Sequence, residues 1–302
     1  MNEVDVKVNS FKAWILASRP KTLSGAAVPV MIGTALAMRD ASFDIRIVPA
    51  VLCFLFAFLM QIDANFVNDY FDYVKGTDDE NRLGPKRACA QGWITEKAMR
   101  RGMALTTVLS CMVGLPLVVY GGWHMIVVGA ACVVFCFLYT TCLSYMGLGD
   151  VLVLLFFGFV PVCLTYYLDM PSGAPLFSQE VVWTSLACGL VIDTLLVVNN
   201  YRDIDNDRRS GKKTLVVRIG ARASEKLYLG LGLTACISSF ILFYDRSMWA
   251  AFLPLGYLAL HISTYREMIR IRKGSELNRV LGKTARNIFV YGLLQSVGLI
   301  IA

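Results

Sequence analysis

The chain has 302 residues, 56% of them hydrophobic and only 17% charged, with a mean hydropathy of +0.57. Soluble domains run at roughly 45–50% apolar and about 25% charged, so this composition excludes an ordinary soluble protein and points to one embedded in a bilayer. The formal net charge is +7, but no basic segment interleaved with aromatics accompanies it, which excludes a nucleic-acid-binding domain.

A helix needs about 20 largely apolar residues to span a membrane. Nine runs qualify, at about 22–38, 48–67, 103–121, 123–143, 148–168, 180–199, 226–244, 248–265 and 284–301. The alternating pattern of a β-barrel is absent, so the expected fold is all-α. It is a polytopic bundle of about nine transmembrane helices around a central cavity, forming one domain over residues 1–302. Before the first run, Phe11 to Leu16 suits the membrane interface, with its aromatics at headgroup depth; residues 1–21 are expected to be cytoplasmic or interfacial. No cleaved signal peptide is expected, because no small-residue cleavage site follows a short apolar core. Pro29 interrupts the first run, which a membrane helix tolerates when its neighbours satisfy the freed carbonyl.

Lysine and arginine placement sets the orientation. With the N-terminus in the cytoplasm, that side collects Lys7, Lys12, Arg19 and Lys21, then the cluster from Lys75 to Arg101. It also collects the cluster from Arg202 to Lys226 and the one from Arg266 to Lys283. The far side keeps Arg39, Arg46 and Arg246. This asymmetry follows the positive-inside rule and places the loops at 68–101 and 199–225 on one face, so they can share a site. The nine cysteines lie mostly inside apolar runs, and the Cys132/Cys136 pair has no companion for a zinc pattern.

Those two loops carry the chemistry. The first reads Asn68-Asp69-Tyr70-Phe71-Asp72 and continues through Gly76 to Asp78 and Asp79; the second reads Asn199-Asn200-Tyr201-Arg202-Asp203 and continues to Asp207. Residues four apart share one face of a helix, so Asn68 and Asp72 form one oxygen-rich set and Asn199, Asp203 and Asp207 another. Gly76 and Gly84-Pro85 break the first helix and let Asp78 or Asp79 fold back. Mg²⁺ takes one or two carboxylates together with substrate phosphates, and Arg82, Lys86 and Arg87 supply forks and charge for phosphate oxygens. Arg202, Lys212, Lys213 and Arg218 do the same around the second set. One such loop is what any solvated cytoplasmic segment looks like; two on the same side, both opening Asn-x-x-x-Asp, are not. Polar residues inside the spans, Asp63 with Gln61 and Asp193, are costly at that depth and are expected to face a cavity or a partner. Tyr139, at the end of the fourth run, is a further candidate. Ion-coupled carriers also place aspartates inside the membrane, but most acidic residues here lie in loops rather than at the midplane.

The chain resembles the UbiA superfamily of intramembrane prenyltransferases, and within it the menaquinone-pathway branch. The resemblance rests on Arg19-Pro20-Lys21-Thr22-Leu23, the NDYFDYVKG-TD loop with its RLGPKR sequel, Gly147 to Asp150 (GLGD), and the NNYRDIDNDRRSGKKTLVVRIG segment. The six-residue step from Asp72 to Asp78 matches that branch rather than the commoner superfamily spacing. Where some relatives place a basic residue before the GLGD turn, this chain has Ser144. The resemblance implies transfer of a polyprenyl chain from polyprenyl diphosphate to 1,4-dihydroxy-2-naphthoate, with loss of CO2, in the bacterial cytoplasmic membrane. A relative using 4-hydroxybenzoate or a chlorin-type ring is the alternative. Two Mg²⁺ ions are expected, one on Asn68 and Asp72 and one on Asp203 and Asp207, with Asp78 and Asn199 in support. Arg82, Arg87, Arg202 and Lys212 would bind the diphosphate. Asp193 or Asp63, with Tyr139, would meet the aromatic acceptor.

Overall fold

The structure, a computed structural model, describes residues 6–76, 82–171, 175 and 178–302. Every regular element among them is helical. Asp78 and Asp79 lie outside the described residues.

A short helix, α1 (Phe11–Ser18), opens the chain; Ser10 caps it by accepting a hydrogen bond from the Ala13 amide. Arg19 then adopts a left-handed backbone, φ 49°, and turns the chain into α2 (Leu23–Asp40). Next come α3 (Ile47–Val74), α4 (Glu96–Gly121), α5 (His124–Leu143), α6 (Gly149–Asp169), α7 (Gln179–Arg209), the short α8 (Leu215–Ile219) and α9 (Ala221–Phe243). Threonine or serine side chains cap three of these starts: Thr95 at α4, Ser178 at α7 and Thr214 at α8. Each satisfies an amide that has no partner within its own helix.

Among the described residues, seven stretches are long and apolar enough to cross a membrane: Phe11–Asp40, α3, α4, α5, α6, α7 and α9. The two remaining runs are also helical. α10 (Met248–Phe252) leads through a tight turn into α11 (Gly256–Ile271), and α12 (Leu277–Ile300) follows. Arg266, Lys283, Arg286 and Asn287 keep this last pair more polar than the other spans.

At the centre stands α7, two-thirds of its apolar window buried, packed against α9, α6, α12 and α2. Its sequence permits this because small residues line the contact with α6. Added carbons at Gly158 would lie 2.7 Å from the Ser185 carbonyl oxygen and 3.0 Å from the Gly189 Cα. Such close approach is the usual basis of helix association in lipid, where burial of apolar surface supplies no net drive. The opposite pattern holds on α3, α4 and α5, whose outward faces keep Val51, Leu55, Leu105, Met112, Val119 and Val134 exposed, as lipid-facing helices do.

Both polar ends of the bundle are tied by ion pairs. At one end Glu180 accepts from Arg39 and Arg246, and Tyr166 donates to Asp40. The other end carries both Asn/Asp loops.

Candidate active site

Helix α3 runs without a break through Asn68 and Asp72 to Val74, so the first oxygen-rich face is the continuation of a membrane span. Gly76 then takes φ +67° and ends that helix. Helix α7 likewise continues to Arg209, which puts Asn199, Asp203 and Asp207 at one-turn intervals along one face. The two helix ends meet over a cavity of about 200 Å³ lined by Asn68, Asp72, Asn199, Asp203 and Asp207 together with Arg82, Arg87, Lys212 and Tyr139.

The loop after α3 is folded back by a residue with no role in the sequence reading. Asp69, 1% exposed, accepts hydrogen bonds from the amides of Ala88 (2.9 Å) and Cys89 (2.8 Å), with the Arg19 guanidinium 3.8 Å away. That clasp brings Arg87 to Asp72, where Nη2 donates to Oδ2 at 3.2 Å. Lys212, from the second loop, stands 3.7 Å from the other oxygen of Asp72. Asp72 is therefore held between one cation from each loop, at 6% exposure. Lys212 and Lys75 both lie near the Tyr145 ring, at 5.1 and 4.2 Å from its centroid, and Lys75 donates to the carbonyls of Thr140 and Thr141. These carbonyls belong to a widened π-turn, Tyr139–Leu143, at the end of α5; such turns recur at functional sites. Asn68 accepts from Thr140 on the same turn.

Arg202 is placed differently from the expectation of a diphosphate contact. It is 3% exposed and does not line the cavity. Its fork closes on the neighbouring Asp203 (2.9 and 2.6 Å), while Nη1 donates to Asn278 and Nη2 to Asn199. Asn278 in turn donates to the Leu83 carbonyl, and Gly84 packs so closely that an added carbon would sit 2.8 Å from the Arg202 Nη2. Arg202 is thus a brace joining α7, the start of α12 and the first loop. Near the same helix start, Glu267 pairs with Lys283 and Arg279. The hydrogen bond from Lys283 holds its carboxyl below the usual range.

Asp63 is not at the cavity either. It is fully buried between α3 and α4 and accepts from Thr106 (2.6 Å) and Thr107 (2.7 Å), so both its oxygens are spent on helix packing. Asp193 sits deeper along α7, 3% exposed, with one oxygen unpartnered. Among the described residues, no three Asp, Glu, His or Cys side chains come together as a ready-made metal cluster. Several cavity residues carried no assigned role from the sequence, among them Arg19, Thr22 and Asp150. The first two belong to the Arg-Pro-Lys-Thr segment and the third to the GLGD turn, so the motifs themselves were the available signal.

A helical membrane protein with an oxygen-rich, cation-ringed cavity at one end of its spans is suited to receive an anionic ligand at a bilayer surface. The chain belongs to the UbiA prenyltransferase family, whose model matches residues 26–291. It is 33% identical to the 1,4-dihydroxy-2-naphthoate octaprenyltransferase of Escherichia coli strain K12, over 98% of this chain and 97% of that one. It is also 33% identical to the protein of the same name from Mycobacterium tuberculosis, over 94% and 95%. Among solved structures it is similar to a UbiA homolog from Archaeoglobus fulgidus bound to DMAPP and Mg²⁺. That match has TM-score 0.62 and 14% identity, over 94% of this chain and 99% of that one.

Proposed function

We propose that the protein transfers a polyprenyl chain from its diphosphate to 1,4-dihydroxy-2-naphthoate, releasing diphosphate and CO2 and giving a demethylmenaquinol. The observation that carries this reading is the meeting of two Asn/Asp helix faces over one cavity, with a cation from each loop on Asp72. The relatives' names supply the acceptor. The whole chain, 1–302, acts as one unit in the bacterial cytoplasmic membrane, with the loops at 68–101 and 199–225 in the cytoplasm, in keeping with their excess of lysine and arginine.

The donor set is oxygen only, which suits Mg²⁺. Asn68 and Asp72 would hold one ion and Asp203 and Asp207 a second, with Asn199 and the Asp78 of the first loop in support. No cluster of three carboxylates is needed, because this ion fills its shell with phosphate oxygens and water. Held by these residues, the ion would offset the charge that grows on the departing diphosphate. Arg87, Arg82 and Lys212 bind the diphosphate from the cavity wall. Asp72 holds Arg87 and Lys212 at the cavity wall, and a metal ion on Asp72 would leave more of their charge for that anion. Lipid-facing helices exclude water from the allylic cation and let the long tail enter from the bilayer. The acceptor occupies the part of the cavity beside Tyr139, with Asp193 behind the lining residues of α7.

Purified protein supplied with polyprenyl diphosphate, Mg²⁺ and radiolabelled naphthoate carboxylate should release labelled CO2. Release should stop with a chelator and in Asp72→Asn, which should still insert in membranes. Transfer to 4-hydroxybenzoate in preference to the naphthoate, or full activity in Asp72→Asn, would overturn the assignment.

A further inference from the structure

The cavity wall carries a carboxylate that no neighbouring residue binds. Asp150 lines the cavity at 7% exposure, and no other residue donates a hydrogen bond to either of its oxygens. A buried acceptor left unsatisfied costs about 1–3 kcal/mol, more when charged, so its natural partner is a donor that arrives with a ligand. An acidic residue in the first turn of a helix, as here in α6, often serves only the helix dipole. Such residues are usually solvated or bonded to amides further along the helix, whereas Asp150 is shielded from solvent and meets no donor beyond its own backbone amide.

The surroundings say what the donor is. Gly147 takes φ +74°, turning the chain so that α6 begins beside the end of α5; an added carbon at Gly149 would lie 3.7 Å from the Tyr139 hydroxyl. Asp193 on α7, also with an unpartnered oxygen, does not line the cavity but lies within electrostatic range of Asp150. The cations Arg87 and Lys212 are drawn to Asp72. This part of the wall would repel a diphosphate or a carboxylate and welcome a neutral O–H. The inference rests on the aromatic acceptor proposed above.

We infer that Asp150 receives the acceptor hydroxyl adjacent to the carboxylate-bearing ring carbon, and borrows its proton during the reaction. As that ring carbon bonds to the allylic carbon, the allylic C–O bond breaks and its electron pair leaves with diphosphate. The hydroxyl oxygen becomes a carbonyl, and its proton passes to Asp150. The product of this step is a β-keto carboxylate. It loses CO2, the C–C electron pair returns to the ring, and the carbonyl oxygen becomes an oxyanion that recovers the proton from Asp150. The carboxylate ends as it began, and no oxidant or net proton is required.

The test uses the full-length enzyme in proteoliposomes with two acceptors, the naphthoate and its derivative methylated on that hydroxyl. Asp150→Asn should lower kcat for the naphthoate about 100-fold or more, in the range of a lost proton-transfer group, with KM for polyprenyl diphosphate within about twofold. Wild type should lose a comparable factor on the methylated acceptor, and the variant should lose little more on it, because both changes remove the same contact. The idea is overturned if the variant keeps kcat within about threefold, or if the two losses multiply. Should Asp150→Asn fail to accumulate, wild type decides alone: turnover of the methylated acceptor within about threefold of the naphthoate overturns it. Wild type releasing no CO2 from the naphthoate would instead remove the function on which the inference rests.

Discussion

Arginine 202 shows how a residue in the right motif can do a different job from its neighbours. It lies between Asn199 and Asp203, both on the cavity wall, yet its own guanidinium faces inward and is fully engaged by Asp203, Asn199 and Asn278. Removing one partner of a buried pair costs about 3–5 kcal/mol. The Asp203 side chain keeps 17% exposure, which tempers the figure to roughly 2–4 kcal/mol. Arg202→Met should therefore lower the midpoint of thermal unfolding in detergent and release the loop around Leu83. A direct diphosphate ligand would behave otherwise: KM for the donor would rise tenfold or more with the unfolding midpoint unchanged. Spacing alone could not separate these outcomes. It fixes which helix face a residue occupies, whereas the direction of a long side chain depends on Asn278 and Gly84, which lie far away in sequence.

At the level of elements, the spans and their faces were legible and the joints between them were not. Apolar runs and the Asn-x-x-x-Asp repeats identified α3 and α7 as helices carrying the site, because the same period governs burial and ligand geometry. Asp69 escaped because it is one residue off the cavity face of α3; its function depends on the amides of Ala88 and Cys89 arriving from a loop nineteen and twenty residues away. Asp63 misled for the converse reason: an intramembrane carboxylate signals a partner, and Thr106 and Thr107 on α4 turned out to be that partner. The α6–α7 joint was equally hidden, since a glycine in a membrane helix marks close approach only once its neighbour is known. Gly158→Ala should push α6 and α7 apart against the backbone at Ser185 and Gly189 and cost about 1–3 kcal/mol. Gly230→Ala in α9, where nothing lies within 4 Å, should be neutral or stabilise by up to about 1 kcal/mol. Thermal melts of the two variants side by side would check the pair, and equal behaviour would show that the glycine contact does not govern the joint.

Over the whole molecule, the cavity is where charges from the two halves of the chain meet, above an apolar core that also joins them. Asp72 and the Arg87 beside it belong to the first half, and Lys212, Asp203 and Asp207 to the second. A ligand that takes Mg²⁺ from the carboxylates and diphosphate oxygens from the cations would therefore tie both halves at once. Anything that binds only the folded state stabilises it by mass action, about 2.7 kcal/mol at a hundredfold excess over Kd. For a chain of this size that corresponds to a rise of several degrees in the unfolding midpoint. A non-reactive polyprenyl thiodiphosphate with Mg²⁺ should produce that rise in detergent, and either component alone should produce much less, because each leaves the opposite charge uncompensated. Asp72→Asn should lose most of the shift, measured from its own ligand-free midpoint, which falls because Arg87 and Lys212 lose their buried partner. The full shift persisting in chelator would mean that the tail alone supplies the stabilisation, and that the acidic faces of α3 and α7 meet for some purpose other than gripping a metal diphosphate.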